Sequence, residues 1–324
     1  MVNLNNWDLK QVMLKKIKHH GGWVNTHAHL DRAYSINLQT LKLGYSRLQE
    51  KWRLVDELKQ KSTVSQIYDR MAFGLEQMMR QGVTAVGSFI DVDKVIRDKT
   101  IKAAQRIKNR YGQQIIIKFI NQSLKGVLNQ EARKWFDLGA EFVDIVGGLP
   151  GTDKGREAEH LDVVLGTAKR MKKMAHIHID QLNLPEEEET ELLVKKTKEF
   201  KIEGKVVAIH GISIAAHPKT YRQKLYQKMR QAQIMIIACP SAWIDHRRSE
   251  ELMPFHNAVT PIDELIPAGI TVALGTDNIA DIYKPFTNGD MWTELRLLLE
   301  ACHYYEIDQL VKVATVNGKK VLGL

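Results

Sequence analysis

Two histidines one residue apart, His27 and His29, stand in an apolar, β-branched run from Gly22 to Leu30. In an extended strand side chains repeat every two residues, so both imidazoles face one side, close enough to grip a single cation. Farther on, His178 and Asp180 end a similar run (Ala175 to Asp180), His210 lies at the end of Val206 to Gly211, and Asp277 ends Thr271 to Asp277. Each has a plainer explanation when taken alone. A strand histidine is more often a hydrogen-bonded core residue, and an aspartate after a strand often caps a helix or forms a turn. Taken together, His27, His29, His178 and Asp277 make a nitrogen and oxygen ligand set suited to one divalent metal ion, zinc or ferrous iron, with a position left for water. An ion held in this way makes water a nucleophile at neutral pH, which is hydrolytic chemistry. His176, one pleat deeper than His178, reads as a packed residue behind the site.

Side chains so far apart in the chain meet only if a regular scaffold collects them. Eight short apolar runs recur: Gly22 to Leu30, Val83 to Ile90, Ile115 to Asn121, Phe142 to Gly148, Ala175 to Asp180, Val206 to Gly211, Ile234 to Pro240 and Thr271 to Asp277. Stretches with apolar residues at three- and four-residue spacing separate them, such as Ile101 to Arg110, Ala158 to Lys172 and Glu188 to Phe200. Alternation of this kind predicts an α/β fold, a (β/α)8 TIM barrel, in which polar residues at the C-terminal strand ends carry function. Gly82, Gly112, Gly204 and Gly269 each precede a strand, where a left-handed glycine can end the helix before it. Neither G-x-G-x-x-G nor a P-loop occurs. With no repeat or linker, residues 1–324 read as one domain. Long insertions are expected after strand 1 (Asp31 to Ser62) and strand 7 (Ser241 to Thr260), on the face where barrel active sites lie.

The composition is globular, with 44% hydrophobic and 26% charged residues, and no apolar run is long enough to span a membrane. No secretory signal is legible at the N-terminus, so a cytoplasmic protein is expected. Cys239 and Cys302 read as reduced core thiols. The net charge of +9 comes from lysines and arginines spread along amphipathic helices, the pattern of solvated faces rather than of a nucleic-acid surface. The expected partner is a small-molecule substrate, without nucleic acid or membrane. The sequence leaves room for a homo-oligomer.

The residues in Thr26-His27-Ala28-His29-Leu30-Asp31, His178-Ile179-Asp180, Ile209-His210-Gly211 and Gly275-Thr276-Asp277-Asn278, followed by Ala314-Thr315-Val316-Asn317-Gly318, resemble the amidohydrolase superfamily and its cytosine-deaminase-like branch. The resemblance runs from about Gly22 to the C-terminus. It implies that His27, His29, His178 and Asp277 are metal ligands and that His210 holds the attacking water or the substrate. It also implies that Gln122 is a pyrimidine-binding glutamine. Strand 4 ends in Gly147-Gly148 without the lysine that two-metal members use, which implies one metal. Two departures stand out. Where deaminases of this branch carry a proton-transferring glutamate, this chain has Gln181, and with 26 residues before His27 no complete β-sandwich domain is expected.

In the expected mechanism Asp277 accepts a proton from the activated water, His210 orients the oxygen, and Asp277 returns the proton to the leaving nitrogen. Gln181 can bind substrate but cannot carry a proton. Asp245, His246 and His256 are candidate substitutes. The leading expectation is therefore hydrolysis of a C–N bond in a small, cyclic or open, amide or amidine. Deamination of an aminated heterocycle is the alternative, and a metal-binding protein that recognises a ligand without turnover is a third reading. The zinc deaminases that edit nucleic acid use H-x-E with P-C-x-x-C, which is absent here.

Overall fold

The computed structural model describes residues 8–45, 48–122, 124–245 and 259–324. All eight expected strands form: β1 Trp23–Ala28, β2 Val83–Asp91, β3 Ile116–Gln122, β4 Val146–Gly148, β5 Ala175–Ile179, β6 Val206–His210, β7 Met235–Ala238 and β8 Val272–Leu274. They pair in parallel as two arcs, β1-β2-β3 and β4-β5-β6-β7-β8. Single parallel bridges, Ile120 to Ile145 and Ala28 to Asp277, join the arcs at both seams. The ring closes into a TIM barrel.

The strands are β-branched and apolar because both of their faces are buried. Inward residues (Val24, Phe89, Ile120, Val207, Ile209, Ile237, Ala273) form one apolar cluster, and outward residues such as Val86, Ile90, Ile177 and Ile236 pack into another beneath the helices. The principal crossover helices are α3 (Val64–Arg80), α4 (Lys99–Tyr111), α5 (Gln130–Phe142), α6 (Glu157–Met171), α7 (Glu189–Phe200) and α8 (Lys219–Gln231). The last helix, α12 (Val316–Val321), closes the N-terminal end of the barrel: Val321 and Leu322 join the inner cluster, and the His176 ring donates to the Val321 carbonyl at 2.8 Å.

β1 carries the feature that matters most for the site. Asn25 pairs with Val86 but Ala28 with Ser88, so one extra residue bulges from β1. Val24 points inward. An unbroken pleat would therefore turn His27 and His29 outward, and the bulge reverses the phase and brings both into the barrel.

Some boundaries differ from the sequence reading. Phe142 ends α5 instead of starting a strand, and β4 is short. His29 and Asp277 lie just past the last ladder residues of β1 and β8. Gly82, Gly204 and Gly269 are left-handed as expected, but Gly112 sits at φ −62 and closes α4 as an ordinary helical residue. The insertion after β1 holds a 3-10 turn (Leu41–Tyr45) and a helix of its own, α2 (Leu48–Lys61). The one after β7 opens with a 3-10 turn at Pro240–Asp245, and His246 and His256 lie outside the described residues. Among the described residues neither cysteine forms a disulfide, and no helix is long and apolar enough to cross a membrane.

Candidate metal centre and active site

The C-terminal strand ends bring together the residues that the sequence singled out. The His27 ring centroid lies 5.0 Å from that of His29, 4.9 Å from His178 and 5.6 Å from His210. Donor atoms of His27, His178 and His210 fall within 4.8 Å of one another, as do those of His27, His29 and Asp277. Asp277 Oδ1 is 3.2 Å from His27 Nε2 and 3.1 Å from His29 Nε2. Phe89 packs against the group, 5.0 Å from His27 and 4.6 Å from His178.

Backbone contacts lock Asp277 to β1. The amides of Thr276 and Asp277 both donate to the His27 carbonyl, at 3.0 and 2.9 Å, and Asn25 Nδ2 donates to Thr276 Oγ1 at 2.9 Å. The chain passes His27 so closely that a Cβ on Gly275 would sit 2.6 Å from His27 Cβ, so only glycine fits.

Burial sets the protonation states. It holds His27, His29 and His178 below the ordinary histidine range and lowers His210 to about 3. Arg32 adds to the effect at His29. Burial alone would raise Asp277, but the Lys284 charge and hydrogen bonds from His27 and His29 outweigh it, and the carboxyl stays well below its usual range. Neutral imidazoles beside an ionised carboxylate are the states that metal ligation requires. The buried His178 Nε2, His27 Nδ1, His29 Nδ1 and His210 Nδ1 have no hydrogen-bond partner among the described residues. The packed His176 also has an orphan Nδ1, so it is the convergence of the His27 and His29 Nε2 atoms on Asp277 Oδ1, with His178 and His210 donor atoms within 4.8 Å of that of His27, that fits a divalent cation.

The cluster opens into a cavity of about 1530 Å³. Gln122, at the end of β3, and the half-buried Gln181 both line it, and Gln122 Oε1 lacks a partner among the described residues. Asp180, which the sequence placed among the strand-end functional residues, turns elsewhere. Its left-handed backbone directs the carboxylate to α7, where Oδ1 accepts from the Glu189 amide at 2.9 Å and Oδ2 from the Thr190 amide at 3.2 Å. It caps a helix.

Sequence reasoning missed two buried cations. Lys284 Nζ lies 3.4 Å from Asp277 Oδ2 and donates to Ser241 Oγ and the Thr276 carbonyl, both at 3.1 Å; Ser241 in turn binds Glu294. Lys284 sits in an irregular loop with no motif around it. Arg32, which also lines the cavity, was signalled by its place three residues after His29.

Residues 21–324 match the Amidohydrolase family. The chain is 53% identical over 251 residues to an uncharacterized protein of Haemophilus influenzae, covering 76% of this chain and 91% of that one. It is 24% identical over 315 residues to N-isopropylammelide isopropyl amidohydrolase of Pseudomonas sp. strain ADP, covering 94% of this chain and 74% of the relative. The solved 5-methylcytosine deaminase from Klebsiella pneumoniae, liganded with 5-fluorocytosine, superposes with a TM-score of 0.86 at 22% identity, over 94% of this chain and 75% of that one. The family match takes in every residue of the histidine and aspartate cluster, and the chain belongs to the amidohydrolase family, as a metal-dependent hydrolase acting on C–N bonds.

Proposed function

We propose that the protein hydrolyses a C–N bond of a small cyclic or open amide or amidine, using one divalent ion, zinc or iron, held by His27, His29, His178 and Asp277. The observation that carries this is the convergence of buried imidazoles on an ionised Asp277 at the floor of a large cavity. Bound there, the ion would supply water activation at neutral pH and charge stabilisation.

The rest falls to the chain. Asp277 is kept ionised and so stands ready to accept a proton, with Lys284 fixing Oδ2 while Oδ1 faces His27 and His29. His210, neutral through burial, orients the attacking oxygen by one hydrogen bond and strengthens that bond as negative charge develops. Asp277 then hands its proton to the departing nitrogen, which needs no separate acid. Gln122 and Gln181 hold the substrate by neutral hydrogen bonds.

Deamination of an aminated heterocycle is a second reading, favoured by the unpartnered Gln122 Oε1 on the cavity wall, which suits an N–H on a ring edge. We further place the reaction in one barrel domain spanning residues 1–324, in the cytoplasm, on a small molecule and without nucleic acid. The test is a turnover screen of metal-loaded protein against N-alkyl amides, lactams and aminated heterocycles, following amine release, ring opening and ammonia release. Amine release from N-alkyl amides or ring opening of lactams to amino acids supports the leading reading, ammonia release alone supports deamination, and ligand binding without turnover overturns both.

A further inference from the structure

Arg32 is buried, with 9% of its side chain exposed, yet it is poorly satisfied. Nη1 reaches the two Asp91 oxygens only at 3.4 Å, Nε lies 3.8 Å from Asp281 Oδ2 without a hydrogen bond, and no hydrogen bond engages Nη2 among the described residues. A guanidinium has five N–H donors; the one on Nε is buried without a partner, and the two on Nη2, on a side chain that lines the cavity, are left for a group bound there. Its neighbour Lys59 shows what a structural cation looks like here: Nζ is 2.9 Å from Asp91 Oδ2 and 2.7 Å from Asp93 Oδ2. Asp91 is thus engaged more closely by Lys59 than by Arg32. Arg32 in turn lines the cavity beside His29 and Tyr283, with the Tyr283 ring 5.7 Å from its guanidinium carbon.

We propose that Arg32 is a specificity-determining residue that contacts the substrate, donating to a neutral acceptor such as a ring carbonyl oxygen and giving no advantage to an anionic group in the same place. The proposal rests on the reading of this cavity as the active site of a C–N hydrolase. The preference for a neutral group follows from charge balance. Asp281 at 3.8 Å and Asp91 at 3.4 Å, the latter shared with Lys59, together with the nearby Asp31, already offset the guanidinium charge. An incoming anion would lose its hydration and meet those carboxylates for little net attraction, whereas a neutral oxygen needs only the directional N–H donors that remain. The planar fork matters as well as the charge, because lysine offers a point charge on a flexible stem.

The experiment measures equilibrium binding of three probes to metal-loaded wild type, Arg32→Lys and Arg32→Met. The probes are cytosine, 4-aminopyrimidine, which lacks the ring oxygen, and 4-aminopyrimidine-2-carboxylate, which puts an anion at that position. Wild type is expected to bind cytosine most tightly, and both variants to lose about tenfold to a hundredfold for cytosine while changing little for 4-aminopyrimidine. Metal content and melting temperature are read alongside, and Arg32→Lys keeps the charge balance should Arg32→Met fail to fold. Equal losses for cytosine and 4-aminopyrimidine would make Arg32 structural and overturn the proposal, as would tightest binding of the carboxylate. If wild type binds none of the probes, the preference for a neutral ring acceptor is overturned, while amine release from N-alkyl amides in the turnover screen would leave the C–N hydrolase reading standing.

Discussion

Asp277 divides its two oxygens between different partners, Oδ1 toward His27 and His29 and Oδ2 toward Lys284. Replacing it by asparagine keeps the volume but removes the charge and, in the proposed mechanism, the proton acceptor. Asp277→Asn is expected to lower turnover by about a hundredfold or more, with circular dichroism unchanged; activity near wild type would move the proton acceptor to His210. Gln181 tests the other half of the chemistry. Gln181→Glu introduces a group that can shuttle a proton, so it should weaken amide or amidine hydrolysis and create or enhance ammonia release from an aminated heterocycle. Assaying both substrate classes decides it, and an unchanged pair of activities would take Gln181 out of the mechanism. At this scale the sequence was legible where residue type and period coincide, as in His27-Ala28-His29. Lys284 was illegible because a buried lysine in an irregular loop looks like any solvated lysine until the fold brings it beside Asp277.

The strands and most of their crossover helices could be read from apolar spacing, because strand interiors buried on both faces leave continuous β-branched runs. The bulge in β1 could not, since no residue type marks the extra position between Asn25 and Ala28. The role of Asp180 was equally hidden. Its carboxylate and that of Glu189 accept from each other's backbone amides, at 2.9 and 3.0 Å, an arrangement set by the turn between β5 and α7 rather than by any motif. Burial pushes Asp180 up to about 7 and Glu189 up to about 8, with neighbouring carboxylates adding to it. Both folded values exceed the unfolded ones, near 4, so the folded state holds protons that the unfolded chain releases. The stabilisation is therefore full below about pH 4 and is lost as pH rises through about 7 to 8. The melting temperature is expected to fall across that window, and Glu189→Gln should flatten the fall. A wild-type melting temperature that rises over the same range would contradict this.

For the whole molecule, metal and fold are linked by mass action. An ion that binds only the folded chain stabilises it by about 2.7 kcal/mol at a hundred times its dissociation constant. Chelation should lower the melting temperature by several degrees, and His27→Ala combined with His29→Ala should abolish both the bound metal and that increment. Metal analysis is expected to find one equivalent of zinc or iron per chain. Two equivalents, or none after supplementation of the growth medium, would refute the single-ion arrangement. The TIM barrel and its functional end were legible because eight alternating units admit few other closures, but which strands meet at the seams was not. One seam joins Ala28 to Asp277, and the neighbouring His27 and Asp277 stand 250 residues apart in the chain. During synthesis β1 emerges first and β8 last, and bringing such distant segments together is among the slowest events available to a chain. Until it happens, the three imidazoles have no carboxylate beside them. If the proposed site is the catalytic one, a nascent or half-assembled chain is chemically silent, and the appearance of activity in a refolding reaction would time the moment at which the ring shuts.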